Sequence, residues 1–329
     1  MHIEFLEILR CPKTGQRLDL KEPVYQEGRV QSGLLVTVDG LNSYPVEKFI
    51  PRFVARTNYA DNFGMQWNKF AKTQLDSFSG HNISAQRFWK ATGWTKNQMT
   101  SKWVLDVGCG SGRFAEIALQ TGANVVALDY SESVEACYNN LKQYPNLHVV
   151  QGDIYSLPFI KESFSYIYSL GVLQHTPDVE GAFNSLPPYL KNQGSLCTDV
   201  YWKRLRTMLH LKYLLRPFTK RLPQDKLFNT LEIVVPHLLN ISQVLGSVKY
   251  IGNVLKRLIP VADYTGIYPL SKEQLEEWAL LDTFDMLAPA YDSPQTPTTI
   301  KKWMEDAGLK DIEILQANLL VVRGDKYDV

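Results

Sequence analysis

The sequence predicts an α/β fold built on a doubly wound parallel sheet. From Trp103 onward, apolar strands alternate with helical patterns, and the strands read "WVLDV", "NVVALD", "LHVVQGD", "SFSYIYSL" and "GSLCTDVY". Such alternation is typical of a parallel sheet covered by helices on both faces. The last two segments, "DIEIL" and "NLLVVRG", are separated by a short turn. They therefore predict an antiparallel terminal hairpin at the sheet edge.

Helix ends carry local signals. Gly122 closes "GRFAEIALQTG", Ser131 is the expected N-cap of "SESVEACYNNLKQY", and Gly308 follows "TPTTIKKWMEDAGL". "DVEGAFNSLPPYL" is expected to be helical. In the preceding region, "SAQRFWKATGW" predicts a helix with Ser84 as its N-cap, and "YADNFGMQWNKF" places Phe63 and Trp67 at helical spacing.

Four segments are expected. Residues 1–54 form a small β unit with a hairpin around Asp39 and Gly40. Residues 55–100 form a helical cap, and residues 202–262 form a basic helical insertion. The sheet domain then comprises residues 101–201 and 263–329.

The composition argues against several classes of protein. The 329 residues are 45% hydrophobic and carry a formal net charge of +1, so the whole chain has no charge-driven preference for nucleic acid. Its four cysteines form no C-x-x-C pair, which argues against disulfides and zinc and suits a reducing compartment. With no secretory signal and no apolar run of about 18 residues, we expect a cytoplasmic protein. The charge is uneven: residues 201–262 contain eleven Lys or Arg against two acids.

The most informative stretch is "VLDVGCGSGRF", in which a strand ends at Asp106 and Gly108, Gly110 and Gly112 follow. Glycines let the backbone turn sharply and let a ligand lie against the main chain. The spacing G-x-G-x-G differs from the G-x-G-x-x-G of dinucleotide sites. A plain tight turn is the other alternative.

Two further strands also end in acids, Asp129 and Asp153. Because parallel strands bring their carboxyl ends to one edge, the three carboxylates are expected near one site. Asp129 is placed to take ribose hydroxyls, and Asp153 an adenine amino group. One such Asp is often only a turn former, but three in series favour a ligand site.

These motifs, with "FSYIYSLGVLQHTPD", resemble the class I S-adenosylmethionine-dependent methyltransferases. The resemblance covers residues 100–200, and 296–323 less closely. It implies a Rossmann-like seven-stranded sheet and S-adenosyl-L-methionine as cofactor. The cofactor-binding residues that it implies, together with expected contacts from the helical cap, are Asp106, Gly108, Gly110, Gly112, Asp129, Tyr130, Asp153, Ile154, Leu170, Gly171, Phe63, Trp67 and Arg87.

The flanking sequences "IPRFV" and "YADNFGMQWNKFAKTQLDS" resemble a bacterial subgroup associated with glycan and natural-product biosynthesis. Its members begin with a zinc-ribbon-like segment. Here Cys11 is present, but Thr14 stands where a second cysteine is needed. We therefore expect a degenerate ribbon with no metal, serving as a structural relic or a docking surface.

Three residues are the catalytic candidates: His175, Asp285 and Tyr291. His175 follows the fourth strand, and an imidazole is suited to remove a proton from a hydroxyl acceptor. The alternative is a structural role at the helix that begins near Asp178. "DTFDMLAPAYDSPQTP", which holds Asp285 and Tyr291, is interpreted as a loop over the cleft.

The basic insertion is compatible with an anionic small substrate, an anionic membrane or RNA phosphates. The simplest alternative is a helical lid that packs on the domain or on a second subunit, so a homodimer is one of the expected arrangements.

The sequence favours O-methylation of a small molecule or a glycan or sugar-nucleotide acceptor. RNA or protein methylation, or cofactor binding without turnover, are the alternatives, and nucleic acid is not the expected partner.

Overall fold

The computed structural model describes residues 1–55, 60–205, 211–316 and 319–327. The strands in these ranges are β1 (Leu18–Gln26), β2 (Arg29–Thr37), β3 (Ser43–Glu47), β4 (Ile50–Pro51), β5 (Trp103–Val107), β6 (Asn124–Asp129), β7 (Leu147–Gln151), β8 (Phe164–Ser169), β9 (Leu190–Tyr201), β10 (Lys310–Gln316) and β11 (Leu319–Asp325). The α-helices are α1 (Asp61–Lys69), α2 (Asp76–Ser79), α3 (Ile83–Thr92), α4 (Lys96–Met99), α5 (Arg113–Leu119), α6 (Ser133–Leu141), α7 (Val179–Asn184), α8 (Lys212–Thr219), α9 (Gln224–Gly246), α10 (Gly252–Leu255), α11 (Lys272–Leu287) and α12 (Pro297–Asp306).

A seven-stranded sheet in the order β10-β11-β9-β8-β5-β6-β7 forms the centre of the fold. Strands β5 to β9 are parallel, and β11 runs antiparallel to both β9 and β10. In β5, Val104 and Leu105 are fully buried on opposite faces, as expected for a strand that helices cover on both sides. The predicted Rossmann-like sheet with its antiparallel terminal hairpin is confirmed.

A second sheet, β1-β2-β3-β4, is entirely antiparallel. Its β2–β3 turn contains the hairpin expected at Asp39 and Gly40, whereas β1 was not recognised in the sequence. Leu9 pairs with Phe159, and the apolar side chains of this region lie in one cluster with those of the large sheet. Cys11 is buried, with its Sγ 3.2 Å from the Tyr44 hydroxyl.

Two predicted N-caps are wrong by one or two residues. Helix α3 begins at Ile83 after Asn82, and the Ser84 hydroxyl instead donates to the Gln74 carbonyl at 2.7 Å. Helix α6 begins after Glu132 rather than Ser131. The segment predicted as one helix after Asp178 is α-helical only over α7 and continues as a short 3-10 turn.

The insertion and α11 form a helical layer over the cleft. Helix α9 packs against α11, with the Phe228 and Phe284 rings 5.5 Å apart. Asp285 lies within α11, so the prediction of a loop at that residue is wrong. Among the described residues, no helix has the length and apolarity needed to span a bilayer.

Candidate active site

A cavity of about 770 Å³ lies at the carboxyl ends of the parallel strands. Its floor is the loop after β5 with the residues that follow β6, β7 and β8, and its walls come from α1, α3 and α11. This is the edge at which open α/β sheets bind ligands, because loops there diverge to opposite faces.

The glycine loop after β5 adopts a left-handed backbone at all three glycines, with φ of 81° at Gly108, 53° at Gly110 and 96° at Gly112. A Cβ on Gly110 would lie 3.1 Å from the Trp67 indole nitrogen. Gly108 and Gly110 line the cavity. Gly112 is turned away, and a Cβ there would meet Leu141 at 2.6 Å.

Asp129 ties the glycine loop to the end of β6. Its Oδ2 accepts the Gly110 N–H at 2.9 Å, and its Oδ1 accepts from the Ser131 amide at 2.9 Å and the Ser131 hydroxyl at 2.7 Å. Asp129 also lines the cavity. The carboxylate therefore holds the loop open beside the space where a ligand would lie.

The other two strand-end acids have different surroundings. Asp106 is buried beneath the loop and outside the cavity lining, and burial raises its pKa to about 8. Asp153 also lies outside the lining, and its carboxylate accepts from the Tyr155 amide at 3.0 Å. Neither side chain contacts the cavity as the sequence led us to expect.

An ion pair that the sequence analysis missed crosses the cavity wall. Arg87 of α3 donates to Asp199 Oδ2 at 2.8 Å, and Asp199 Oδ1 accepts the Gly171 N–H. Asp199 lies on β9, two residues before Tyr201, so its position near the carboxyl end of a parallel strand was the available signal. The pair fixes a helix of the cap to the sheet.

Arg113, at the start of α5, was also missed. Its Nε donates to the Ser84 hydroxyl at 2.9 Å and its Nη1 to the Gln74 amide oxygen at 2.6 Å. Burial and the nearby Arg87 charge lower the pKa of Arg113 to about 10. Its place directly after the glycine loop was a usable signal.

His175 lies at the centre of the cavity's polar wall. Its Nδ1 is 3.1 Å from the Tyr291 backbone carbonyl, and its Nε2 is 3.9 Å from Asp285 Oδ2. The rings of Phe63 and Tyr201 flank it at 5.4 and 5.5 Å. Tyr291 is 38% exposed and lies outside the cavity lining, and its backbone carbonyl is the group that contacts His175.

The wall opposite the glycine loop is aromatic and charged. Tyr264, Tyr268 and Trp278 pack against one another with ring centres 5.3–5.6 Å apart. The Tyr264 hydroxyl donates to Asp282, whose pKa burial raises to about 6. Lys212 of α8 also lines the cavity, 2.6 Å from Asp292.

The structure brings most of the sequence-derived site residues together. Those that line the cavity are Phe63, Trp67, Arg87, Gly108, Gly110, Asp129, Tyr130, Ile154, Leu170, Gly171, His175 and Asp285. Asp106, Gly112, Asp153 and the Tyr291 side chain do not.

The central part of the sheet matches a known family. Residues 105–198 match the model of a methyltransferase domain. The matched residues include most of β5, the glycine loop, β6 to β8 and most of β9.

Curated relatives of the chain share mainly that domain. Sterol 24-C-methyltransferase of Pneumocystis carinii is 37% identical over 107 residues, covering 31% of this chain and 28% of the relative. The Saccharomyces cerevisiae enzyme of the same name is 35% identical over 99 residues, covering 28% and 25%. The chain thus spans about a quarter of the length of these relatives.

Solved structures with a similar arrangement are distant in sequence. Human N-acetylserotonin methyltransferase has a TM-score of 0.40 at 12% identity, covering 82% of this chain and 57% of that one. Magnesium protoporphyrin IX methyltransferase of Synechocystis has a TM-score of 0.39 at 14% identity, covering 83% and 90%.

S-adenosyl-L-methionine is the cofactor that the methyltransferase domain indicates, and the cavity fits a mixed polar and apolar ligand. Four residues of its lining each have a buried polar atom with no hydrogen-bond partner among the described residues: Gln66 Oε1, Ser111 Oγ, Gln174 Oε1 and His175 Nε2. Buried polar atoms are normally paired. Their clustering on one cavity is what a polar ligand would satisfy.

Proposed function

We propose that the chain is an S-adenosylmethionine-dependent methyltransferase that methylates a hydroxyl group of a polar small molecule. The observation that carries the proposal is the arrangement of His175. His175 lines the cavity; one nitrogen of its ring is held by a backbone carbonyl, and the other is buried without a hydrogen-bond partner among the described residues. An imidazole arranged in this way is suited to accept a proton.

The residues that would hold the cofactor are those of the glycine loop and the neighbouring strand ends. Gly108 and Gly110 allow close approach of the ligand to the main chain, and Asp129 offers carboxylate oxygens to ribose hydroxyls. Ile154 and Leu170 add apolar surface, and Arg113 presents a cation. When bound, S-adenosyl-L-methionine supplies a methyl group activated by a positively charged sulfur. The protein's part is positioning and exclusion of water.

His175 would take the acceptor proton at Nε2. Asp285 Oδ2, 3.9 Å away, stabilises the imidazolium that results. The aromatic rings on both sides of His175 restrict its rotation and exclude water from it.

A polar acceptor is favoured over an apolar one. The wall formed by α11 and the insertion presents Lys212, Asp282, Asp285 and the Tyr264–Tyr268 pair. A sterol skeleton would exclude water from the Asp282 and Asp285 carboxylates and would offer these groups few hydrogen bonds beyond those they make with neighbouring side chains, which is unfavourable. A sugar or nucleotide sugar offers hydroxyls and charge to the same groups. We therefore propose a glycan or sugar-nucleotide acceptor, in keeping with the sequence resemblance.

Residues 1–54 are proposed as a degenerate ribbon that serves structure rather than metal binding. Cys11 pairs with the Tyr44 hydroxyl. Within the described residues, no group of three or more His, Cys, Asp or Glu is placed to hold a metal ion. The apolar side chains of this segment extend the core of the large sheet.

The experiment is calorimetric titration with S-adenosylhomocysteine, with NAD as the control ligand, followed by a mass-spectrometric screen of sugar and nucleotide-sugar acceptors. Micromolar binding of S-adenosylhomocysteine, no binding of NAD and a mass gain of one methyl group support the proposal. Binding without methylation of any hydroxyl compound would favour a binding protein. Binding of neither ligand would overturn the cofactor assignment.

A further inference from the structure

Helix α8 has its charges inside and its apolar side chains outside. Lys212 and Arg216 are only 7% and 6% exposed, whereas Leu214 and Phe218 are 69% and 72% exposed. A helix on a water-facing surface shows the opposite arrangement. The inward charges are paired, since Asp292 lies 2.6 Å from Lys212 Nζ. The orientation of α8 therefore leaves no unpaired charge at Lys212, and the exposure of the apolar side chains needs a separate explanation.

Helix α9 continues the pattern. Its inner side, which includes Leu231 and Val235, is buried against α11. Its outer side exposes Ile233, Ile241 and Val244, which recur at helical spacing along the helix. We call the outer sides of α8 and α9 the outer apolar face, defined by Leu214, Phe218, Ile233, Ile241 and Val244. Scattered single apolar residues are normal on a surface, but apolar outer sides on two consecutive helices, both packed on α11, indicate a binding surface.

Positive charge accompanies this face. Lys220, Arg221, Lys226 and Lys249 are exposed in the same segment. Residues 201–262 contain eleven basic residues and only two acidic ones. Exposed apolar side chains mixed with Lys and Arg are the chemistry that binds an anionic bilayer surface.

A second copy of this chain is a poorer occupant. A symmetric dimer through the outer apolar face would place two strongly basic segments against each other, and such like-charge contact opposes association. The face is also apolar where a nucleic acid would need donors and stacking surfaces. Charge complementarity thus selects an anionic lipid surface.

We propose that the outer apolar face docks the protein peripherally on an anionic lipid bilayer. Helix α8 joins this surface to the cavity, because its inner residue Lys212 lines the cavity while its outer residues meet the lipid. Docking would place the cavity wall about one helix diameter, roughly 10 Å, from the headgroups. The proposal goes beyond the methyltransferase assignment and does not require turnover.

Sedimentation with vesicles of phosphatidylcholine, with and without phosphatidylglycerol, tests it. We expect binding to the anionic vesicles only, weakening as salt rises. The double variant Leu214→Ser/Phe218→Ser should bind at least tenfold more weakly, because it removes two apolar side chains from the contact. Lys220→Gln/Arg221→Gln should weaken binding by about fivefold for each cation removed. Val38→Ser/Leu41→Ser is the matched control, since both residues are highly exposed on the small sheet.

Binding that all three double variants retain equally would overturn the proposal, as would no binding of the wild type to either vesicle. Light scattering tests the competing possibility that a second copy of the chain covers this face. A dimer in lipid-free buffer that Leu214→Ser/Phe218→Ser converts to monomer would assign the face to a second copy instead. Unchanged affinity of these variants for S-adenosylhomocysteine shows that they remain folded.

Discussion

The Nδ1 atom of His175 lies 3.1 Å from the backbone carbonyl oxygen of Tyr291. A carbonyl oxygen only accepts hydrogen bonds, so Nδ1 carries the proton and donates it. In the neutral ring Nε2 is then the atom with a free lone pair, and it lies 3.9 Å from Asp285 Oδ2, another residue of the cavity lining. One backbone contact thus selects the tautomer that a general base requires.

Replacing His175 with Ala should lower kcat by about 10²- to 10⁴-fold, the usual contribution of a general base. The affinity for S-adenosylhomocysteine should stay close to that of the wild type. Single-turnover rates with a methylated acceptor, together with calorimetry, measure both quantities. Tyr291→Phe keeps the carbonyl and should retain activity, and His237→Ala on the exposed side of α9 is a matched control. Near-normal turnover of His175→Ala would remove this residue from the mechanism.

Asp129→Asn should weaken binding of S-adenosylhomocysteine by about tenfold to a hundredfold. The carboxylate accepts from Gly110 and twice from Ser131, and the amide group loses the charge and turns one acceptor into a donor. Asp153→Asn is the matched control, because Asp153 lies outside the cavity lining and its carboxylate accepts a hydrogen bond from the neighbouring Tyr155 amide. Calorimetry compares the two. Equal losses for both variants would contradict the assignment of the ligand to the Asp129 side.

Gly110→Ala should reduce cofactor affinity more than it reduces stability. The new methyl group would lie 3.1 Å from the Trp67 indole, and the backbone φ of 53° is unfavourable for alanine. Gly80→Ala has a comparable φ of 74° but open space around the added methyl group, so it isolates the backbone cost of about 1–2 kcal/mol. Thermal unfolding and titration with S-adenosylhomocysteine provide the measurements. If both variants bind equally well, the Gly110–Trp67 contact has no role in the site.

Local patterns were enough to predict the sheet. Alternating strands and helices, a glycine-rich turn and acids at strand ends all lie within a few residues of each other, so the sequence displays them directly. Asp285 shows the limit of prediction from local patterns. Prolines nearby suggested a loop, yet Ser271 and Gln274 form a capping box that starts α11 well upstream. The helix ends at Leu287, just before those prolines.

Arg87 was expected at the site, but its ion pair with Asp199 was missed because that contact forms across the fold. Arg87 and Asp199 are 112 positions apart and meet only when α3 packs on the sheet. Sequence position also cannot tell which atoms a side chain uses. Asp129 ends β6 and Asp153 follows β7, but of the two only Asp129 lines the cavity, because the Asp153 side chain instead caps a short 3-10 turn.

Ionisation of Asp106 should lower the free energy of unfolding as the pH rises between about 4 and 8. Burial raises its pKa from 3.8 to about 8 in the folded chain. Between these values the folded protein keeps a proton that the unfolded chain releases, so rising pH favours unfolding, by at most about 1.4 kcal/mol per pH unit. Above the folded pKa, and below about pH 4, this dependence disappears.

Urea denaturation of the ligand-free protein from about pH 5 to pH 8 measures the effect. Asp106→Asn cannot ionise, so its free energy of unfolding should decline less over this range than that of the wild type. Asp39→Asn is the control: hydrogen bonds from Thr37 and Leu41 lower the pKa of Asp39, which places its titration below this range. Histidines contribute equally to all three proteins and cancel in the comparison. An identical pH slope in wild type and Asp106→Asn would show that the buried carboxyl is not protonated in the folded chain.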